Sequence, residues 1–284
     1  MTSPISENSS PKAQSCKSLR YRTNPAHFGA TIGRVANRLK DARIDNLNGG
    51  VVLLEANNGP NTLHGGKEGW GLKGWRGPEL ARDVHHGDEN FPGEVEAWVR
   101  YSPYEEVEGG GEKAVVLEME YEAQLVDGAE ETVLNSTNHT FAHKSPPPTN
   151  PHLPPDSTGI PHSTDISPYP GITPNQTFTL GLTEPDIDDC FILNKDPSSI
   201  LLDTRPLPLT TFLTTEPAFQ FYTGKYVNVV PRADGSPRRV LRAGFCVEPS
   251  RYVNAANVEA WRGMTVVKKG EVFGCKIVYR AWKD

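Results

Sequence analysis

Two histidines and one glutamate lie in sequence surroundings that suit acid–base chemistry. His64 stands directly before two glycines in NTLHGGKEGW, residues 61–70. His139 lies in the hydroxyl- and amide-rich stretch NSTNHTF, and Glu248 follows the apolar run AGFCV. An imidazole and a carboxylate can exchange protons with a substrate near neutral pH, and glycines allow close approach to a backbone. Each residue also has an ordinary structural interpretation: a turn histidine, a buried hydrogen-bonded histidine and the first exposed residue after a strand.

A second set of polar residues stands among small or apolar neighbours. Asn37 and Arg38 follow small residues in GRVANRL, and Asp188 lies in the carboxylate-rich stretch EPDIDDCF. A guanidinium and a carboxylate form strong charge-assisted hydrogen bonds, but Arg38 also suits a surface ion pair and Asp188 a turn cap. The chain has no metal-ligand spacing, no nucleophile elbow and no phosphate-binding glycine loop. We therefore expect neither a metal nor a cofactor.

The elements that must position these residues are predicted to be strands. Apolar runs or alternations between turn signals are typical of strands, and the chain has them at VVLLE (51–55), EVEAWVRY (94–101), AVVLEMEYEAQL (114–125) and VFGCKIVY (272–279). The sequence EGGGE (108–112) predicts a hairpin tip between the second and third runs. No segment shows a sustained helical period, and 26 glycines and 25 prolines punctuate the chain. The pattern predicts an all-β sandwich.

One region interrupts this pattern. Residues 144–174 contain many prolines, which are disfavoured in central strands, so we expect an extended loop or a flexible insert there. A boundary between two domains is the alternative, but β-like patterning continues on both sides. We expect a disordered tail over residues 1–24 and one domain over residues 25–284, with the proline-rich loop near 144–174.

Composition excludes several classes of partner. The formal net charge of the 284-residue chain is -6, and lysines and arginines are scattered, which argues against nucleic acid or an anionic membrane as a partner. The N-terminal stretch lacks the apolar core of a secretory signal. The four cysteines show no CxxC motif, so we interpret them as reduced thiols of a cytoplasmic protein rather than as disulfides or zinc ligands.

Taken in order, the short motifs resemble a known family. GRVANR, NTLHGG, STNHTF, the IDDCF stretch, AFQFYTG and GFCVEP follow one another as in aldose 1-epimerases, the galactose mutarotase family. The terminal WRGMTVVKKGEVFGCKIVYRAW also resembles the end of that family's domain, in a form common among fungal members. The resemblance runs from about Phe28 to the C-terminus. It implies a large antiparallel β-sandwich, the galactose mutarotase-like supersandwich, that acts on hexoses such as galactose or glucose without a cofactor.

The resemblance also assigns roles to individual residues. His139 would be the general acid, Glu248 the general base and His64 a sugar contact near the ring oxygen, with the adjacent glycines leaving room for the sugar. Four further residues fall on positions that bind the substrate: Asn37, Arg38, Asp188 and Gln220. Together these residues would open the sugar ring by acid–base catalysis and thereby interconvert the α and β anomers.

Two departures from the family pattern keep alternatives open. Only 33 residues precede Arg34, where family members usually carry several strands, so the resemblance implies a shortened N-terminus. After STNHTF the family typically continues with an aromatic-Asn-Leu stretch, whereas this chain has AHKSPPP. A trimmed scaffold could keep the cleft and bind sugar with little turnover, as a regulatory homologue would. A hexose-phosphate 1-epimerase is the third interpretation, and it would require a basic cluster at the cleft mouth.

Overall fold

The computed structural model describes residues 26–76, 80–84, 87–107, 111, 113–142, 151–173, 183, 185–193, 210–231, 235 and 237–282. The predicted tail over residues 1–24 lies outside these ranges. The strands of the described residues are β1 (Ala30–Ile32), β2 (Arg38–Leu39), β3 (Arg43–Leu47), β4 (Gly50–Leu53), β5 (Thr62–Leu63), β6 (Leu80–Val84), β7 (Glu94–Val107), β8 (Lys113–Asp127), β9 (Glu131–Val133), β10 (Thr137–His139), β11 (Phe141–Ala142), β12 (Pro151–Leu153), β13 (Ser167–Pro168), β14 (Asp188–Ile192), β15 (Thr210–Thr214), β16 (Ala218–Tyr222), β17 (Phe245–Ser250), β18 (Val266–Lys268) and β19 (Val272–Trp282).

Helical structure within the described ranges is limited to single 3₁₀ turns. They span Lys40–Ala42, Trp70–Leu72, Asp88–Asn90, Ala255–Asn257 and Arg262–Met264. In this part of the chain no helix has the length and apolar character needed to cross a membrane.

Two antiparallel sheets pack face to face and form the sandwich. One has the strand order β11-β17-β16-β14-β12-β13 and the other the order β15-β19-β8-β7-β6. Four two-stranded ribbons complete the sheets: β1 with β10, β18 with β9, β2 with β5, and β3 with β4. The expectation of an all-β antiparallel sandwich is confirmed.

Alternation along the two longest strands explains why the sheets pack. Strands β7 and β8 pair over almost their whole length. Alternate side chains point into the core over residues 95–99 of β7 and 119–125 of β8. The facing sheet contributes mainly aromatic side chains. Buried residues of this shared core include Val95, Val99, Met119, Tyr121 and Leu125 from the five-stranded sheet and Phe191, Phe219, Phe221 and Phe245 from the six-stranded sheet. Full burial of such side chains stabilises a fold by roughly 1.5–3 kcal/mol each.

A buried arginine fixes the segment that carries Asn37 and Arg38. The guanidinium of Arg34 donates hydrogen bonds to the carbonyl oxygens of Pro92 and Gly93, at 2.8 and 3.0 Å, and to the hydroxyl of Thr132 at 3.1 Å. Because a buried charge without partners is strongly unfavourable, these three bonds hold the GRVANR backbone in one position.

The proline-rich segment forms more sheet than its composition predicts. Residues 144–150 and 174 lie outside the described ranges, but Pro151–Leu153 is a strand between β14 and the edge strand β13. The expectation of an extended loop or a flexible insert is therefore wrong for the residues of β12 and β13. The prolines stand at the ends of the two strands, where Pro151 faces Pro168, and a proline at the first residue of a strand or on an edge strand removes no central hydrogen bond.

Strand pairing near the C-terminus connects distant parts of the chain. Val266–Lys268 and Val272–Trp282 are consecutive strands, yet β18 pairs with β9 and β19 pairs with β8 and β15. Cys190, Cys246 and Cys275 are buried free thiols, in agreement with their interpretation as reduced thiols, and Cys16 lies outside the described residues.

Candidate active site

A cavity of about 270 Å³ brings together all seven residues singled out from the sequence. Strands β2, β5, β10, β11, β14, β16 and β17 and their adjoining loops contribute its lining. The lining residues are Ala26, His27, Asn37, Arg38, Asn58, Leu63, His64, His139, Phe141, Asp188, Gln220, Tyr222, Tyr226, Val227 and Glu248. Their shared location is a finding, and their individual roles stay predictions.

Sheet register explains how residues far apart in sequence meet here. Glu248 on β17 lies directly opposite Gln220 on β16, so the two side chains share one face of the sheet. Strand β14 pairs with the other side of β16, and the Gln220 amide donates a hydrogen bond to the Asp188 carboxylate at 2.8 Å. His139 enters from the ribbon of β1 and β10, where it pairs with Ala30.

His139 and Glu248 form a buried pair. The Nε2 atom of His139 lies 3.4 Å from the Oε1 atom of Glu248, and both side chains are less than a tenth exposed. On its other side, Nδ1 of His139 lies 3.4 Å from the sulfur of Cys246. The geometry allows the imidazole and the carboxyl group to share a proton with each other or with a bound molecule.

Burial determines which member of the pair holds that proton. It raises the pKa of Glu248 to about 8, helped by the negative charge of Asp188 and opposed by the positive charge of Arg38. It lowers the pKa of His139 to about 3, helped by His27. Because burial disfavours the charged form of each group, the free site near neutral pH holds a neutral imidazole and a protonated carboxyl group. The two groups titrate as one coupled system.

His64 is a neutral hydrogen-bond donor towards the cavity. Burial lowers its pKa well below the ordinary value, and the nearby His27, His139 and Arg38 lower it further. The backbone N–H of Asn37 donates to Nδ1 of His64 at 3.3 Å. A neutral imidazole carries its single proton on the other nitrogen in that case, so Nε2–H is the group available to a ligand.

The glycines after His64 serve a different purpose from the one expected. Both adopt positive φ, at 79° and 108°, and neither lines the cavity. A side chain at Gly65 would collide with the backbone of Gly33 and Arg34, and one at Gly66 would collide with the carboxylate of Glu89. The expectation that they leave room for a sugar is therefore wrong: Gly65 lets the His64 loop pack against the GRVANR backbone, and Gly66 lets it pack against Glu89.

Arg38 is held by three side chains at the cavity wall. Its guanidinium donates to Asn58 at 3.0 Å, to Asn37 at 3.3 Å and to Asp188 at 3.4 Å. Asp188 also accepts from Gln220, whose own carbonyl oxygen is buried and has no hydrogen-bond partner in the described part of the chain. A planar guanidinium beside a carboxylate and a free amide oxygen offers donors and acceptors close together, as a polyhydroxylated ligand requires.

Nitrogen and oxygen atoms of His64, His139 and Glu248 that could bind a metal ion lie within 4.8 Å of one another. A neutral imidazole binds a metal through its unprotonated nitrogen, and in His64 that nitrogen accepts from the Asn37 backbone. A cation would have to break this hydrogen bond, so the donor set suits a hydrogen-bonded ligand better.

Sequence reasoning missed several lining residues. Tyr222 lies within the AFQFYTG motif, so its position was available as a signal. Asn58, Tyr226 and Val227 lie in loops without a motif of their own, and only the fold brings them to the cavity. His27 stands one residue before Phe28, where the family resemblance begins, so no motif includes it.

Comparisons with known proteins identify a matching family and several relatives. The model of the family "Aldose 1-epimerase" matches residues 7–280. The chain is 29% identical over 303 residues to the bifunctional protein gal10 of Schizosaccharomyces pombe, covering 90% of this chain and 39% of that protein. It is 33% identical over 306 residues to the bifunctional protein GAL10 of Pachysolen tannophilus, covering 91% and 40%. The chain thus spans about two fifths of the length of these relatives.

A shorter relative and a solved structure extend the comparison. Human galactose mutarotase is 28% identical over 267 residues, with 84% of this chain and 74% of that protein covered. The crystal structure of a GalM/aldose epimerase homologue from C. elegans superposes with a TM-score of 0.72 at 20% identity, covering 94% of this chain and 86% of that chain. At this identity the superposition supports the fold alone.

Proposed function

Because this chain belongs to the aldose 1-epimerase family, we propose that it interconverts the α and β anomers of a hexose such as galactose or glucose by acid–base-catalysed ring opening. The observation that carries the proposal is the buried pair of His139 and Glu248, 3.4 Å apart, in the wall of a cavity rich in hydroxyl-binding groups. The reaction needs one group that accepts a proton and one that donates a proton, both within reach of the same sugar.

In the proposed reaction the Glu248 carboxylate accepts the proton of the C1 hydroxyl while protonated His139 donates to the ring oxygen. The bond between C1 and the ring oxygen breaks, and an open-chain aldehyde forms. The aldehyde then rotates about the bond between C1 and C2. Ring closure from the other face returns one proton from Glu248 to the C1 oxygen and one from the ring-oxygen hydroxyl to His139, so the enzyme ends as it began.

The position of the proton shared by His139 and Glu248 differs between the free site and the start of ring opening. In the free site it resides on Glu248, which is the arrangement that follows ring opening, so an open-chain sugar could close without prior proton movement. Ring opening requires the proton on His139 instead. The positive charge of Arg38, which lowers the pKa of Glu248, favours this rearrangement, and it needs a transfer over only 3.4 Å.

The remaining residues would bind and orient the sugar. The Nε2–H group of His64 suits the region of the ring oxygen, since it is a donor that stays neutral. Asn37, Arg38, Asp188 and Gln220 would bind the hydroxyls, and the free carbonyl oxygen of Gln220 would accept from one of them.

The charge of the cavity argues against a phosphorylated sugar. Among the described residues that line the cavity, Arg38 is the one lysine or arginine, and it already pairs with Asp188. A phosphate dianion beside Asp188 and Glu248 would face a carboxylate and an uncharged carboxyl group rather than a basic cluster. We therefore favour a neutral hexose.

Polarimetry on freshly dissolved α-glucose and α-galactose tests the activity directly. The wild-type protein should accelerate the approach to anomeric equilibrium, whereas a sugar-binding protein without activity would leave the rate unchanged. Glu248→Gln should lower kcat by about 10²-fold or more while calorimetry still detects sugar binding. Because the pair acts in one step, adding His139→Asn should cause much less than a multiplicative further loss.

The control is Glu122→Gln, which removes an exposed carboxylate of β8. It should keep the wild-type rate. Near-full activity of a folded Glu248→Gln variant would show that the base lies elsewhere.

A further inference from the structure

His27 is a third imidazole in the wall of the cavity, in addition to His64 and His139. Its ring centroid lies 5.1 Å from that of His64 and 5.7 Å from that of His139, and the latter two are 5.4 Å apart. The three rings therefore form a nearly equilateral triangle around one end of the cavity.

The hydrogen-bonding state of His27 differs from that of its neighbours. Nδ1 of His64 accepts from a backbone N–H, and the two nitrogens of His139 lie near Cys246 and Glu248. Nδ1 of His27 is buried and has no hydrogen-bond partner among the residues that the structure describes. A buried polar atom without a partner costs about 1–3 kcal/mol, so its presence in a cavity wall points to a ligand that supplies the partner.

Backbone hydrogen bonds fix the main chain at His27 close to His139. The carbonyl oxygen of His27 accepts from Ala30 at 2.9 Å, and the next turn is tied to His139 by a bond from the Gly29 N–H to its carbonyl oxygen, also 2.9 Å. The main chain at His27 is thus tied to the same ribbon that positions His139.

We propose that His27 is a substrate-binding residue whose Nδ1 atom forms a hydrogen bond with one hydroxyl of the bound hexose. The proposal rests on the hexose specificity proposed above, and it adds a contact that selects for a hydroxyl at one ring position. Burial lowers the pKa of His27, so the ring is neutral near pH 7 and can pair with a hydroxyl as donor or acceptor.

Three substitutions separate a polar contact from simple packing. His27→Phe keeps the ring and removes both nitrogens. His27→Asn keeps an amide atom near the position of Nδ1, and His27→Gln places its amide near that of Nε2. We expect His27→Phe to weaken galactose binding, measured by calorimetry, by about 10-fold and to raise KM similarly, with kcat changed less than 3-fold. His27→Asn should restore most of the affinity, and His27→Gln should not.

Deoxygenated sugars identify the partner hydroxyl. Dissociation constants are measured for 2-, 3-, 4- and 6-deoxygalactose with the wild-type protein and with His27→Phe. One of these sugars should bind both proteins equally well, because it lacks the hydroxyl that His27 contacts, while the others should keep the 10-fold difference.

The outcomes distinguish this inference from the proposed activity. Unchanged binding and KM in a folded His27→Phe variant would overturn the inference and leave the activity standing. An equal loss for every sugar, not rescued by asparagine, would also overturn it, since that result indicates packing. If the wild-type protein binds galactose without catalysing mutarotation, a deoxy-sugar effect at His27 would still support the contact.

Discussion

Replacing Glu248 with glutamine should stabilise the fold at alkaline pH even though it removes the proposed base. The folded protein holds a proton on Glu248 up to about pH 8, whereas an unfolded chain releases it at the ordinary pKa of 4.5. Between these two values the folded state must retain a proton that the unfolded state gives up. The free energy of unfolding of the wild-type protein therefore decreases as the pH rises through this window.

The size of the effect follows from the width of the window. Each pH unit within it lowers the free energy of unfolding by about 1.4 kcal/mol. From pH 5 to pH 8 this gives a loss on the order of 3–4 kcal/mol that a glutamine, which does not titrate, avoids. The stability of Glu248→Gln relative to the wild type should rise by that amount across the range.

His139 should show the opposite slope. Its pKa is lowered from 6.5 to about 3, so the folded protein resists protonation that the unfolded chain accepts below pH 6.5. The free energy of unfolding of the wild-type protein therefore decreases as the pH falls through this window. A His139→Asn variant should accordingly gain stability relative to the wild type between pH 6.5 and pH 4.

Urea unfolding followed by tryptophan fluorescence at each pH unit from 4 to 8 measures both effects. Glu122→Gln removes an exposed carboxylate and controls for the change in net charge, so its difference from the wild type should stay nearly constant. Stability differences for Glu248→Gln that do not change between pH 5 and pH 8 would refute the raised pKa and, with it, the protonated resting state of the site.

Two further predictions test the surroundings of the site. Asp188→Asn removes the negative charge that raises the pKa of Glu248, so an NMR titration of ¹³C-labelled glutamate should place that pKa lower than in the wild type. Gly65→Ala should destabilise the fold by roughly 2–5 kcal/mol in thermal unfolding, because the new methyl group meets the Gly33 backbone at a positive φ. Gly50→Ala, where a methyl group meets open space, is the matched control and should have a much smaller effect.

The sequence predicts the strands better than their partners. Within residues 94–101 and 114–125, alternation over 95–99 and 119–125 reflects one buried face, and both segments lie within the paired strands β7 and β8. Pairing depends on contacts between distant segments, which leave no local pattern. This is why nothing in Val266–Lys268 indicates that it pairs with Glu131–Val133 instead of the strand that follows it.

For the candidate site, the order of short motifs identified the seven polar residues, but their physical state depends on the fold. The proton on His64 is set by a backbone N–H of Asn37, a group that every residue except proline carries. The need for glycine at position 65 likewise follows only from the folded structure, in which the backbone of Gly33 and Arg34 lies against it. His27 has no motif, so only its place in the cavity and its unpartnered nitrogen single it out.

The stability and the proposed activity of this site have one physical origin. Burial keeps Glu248 and His139 uncharged in the free protein, which costs stability at high pH for one and at low pH for the other. The same burial makes each group ready to give up or accept a proton once a sugar fills the cavity and offers the partner atoms. A variant that removes the titrating group should therefore be more stable at the corresponding pH extreme and less active at every pH. If buried groups transfer the proton, substitutions at Glu248 and His139 should raise stability and lower activity together. Substitution of Glu122 should do neither.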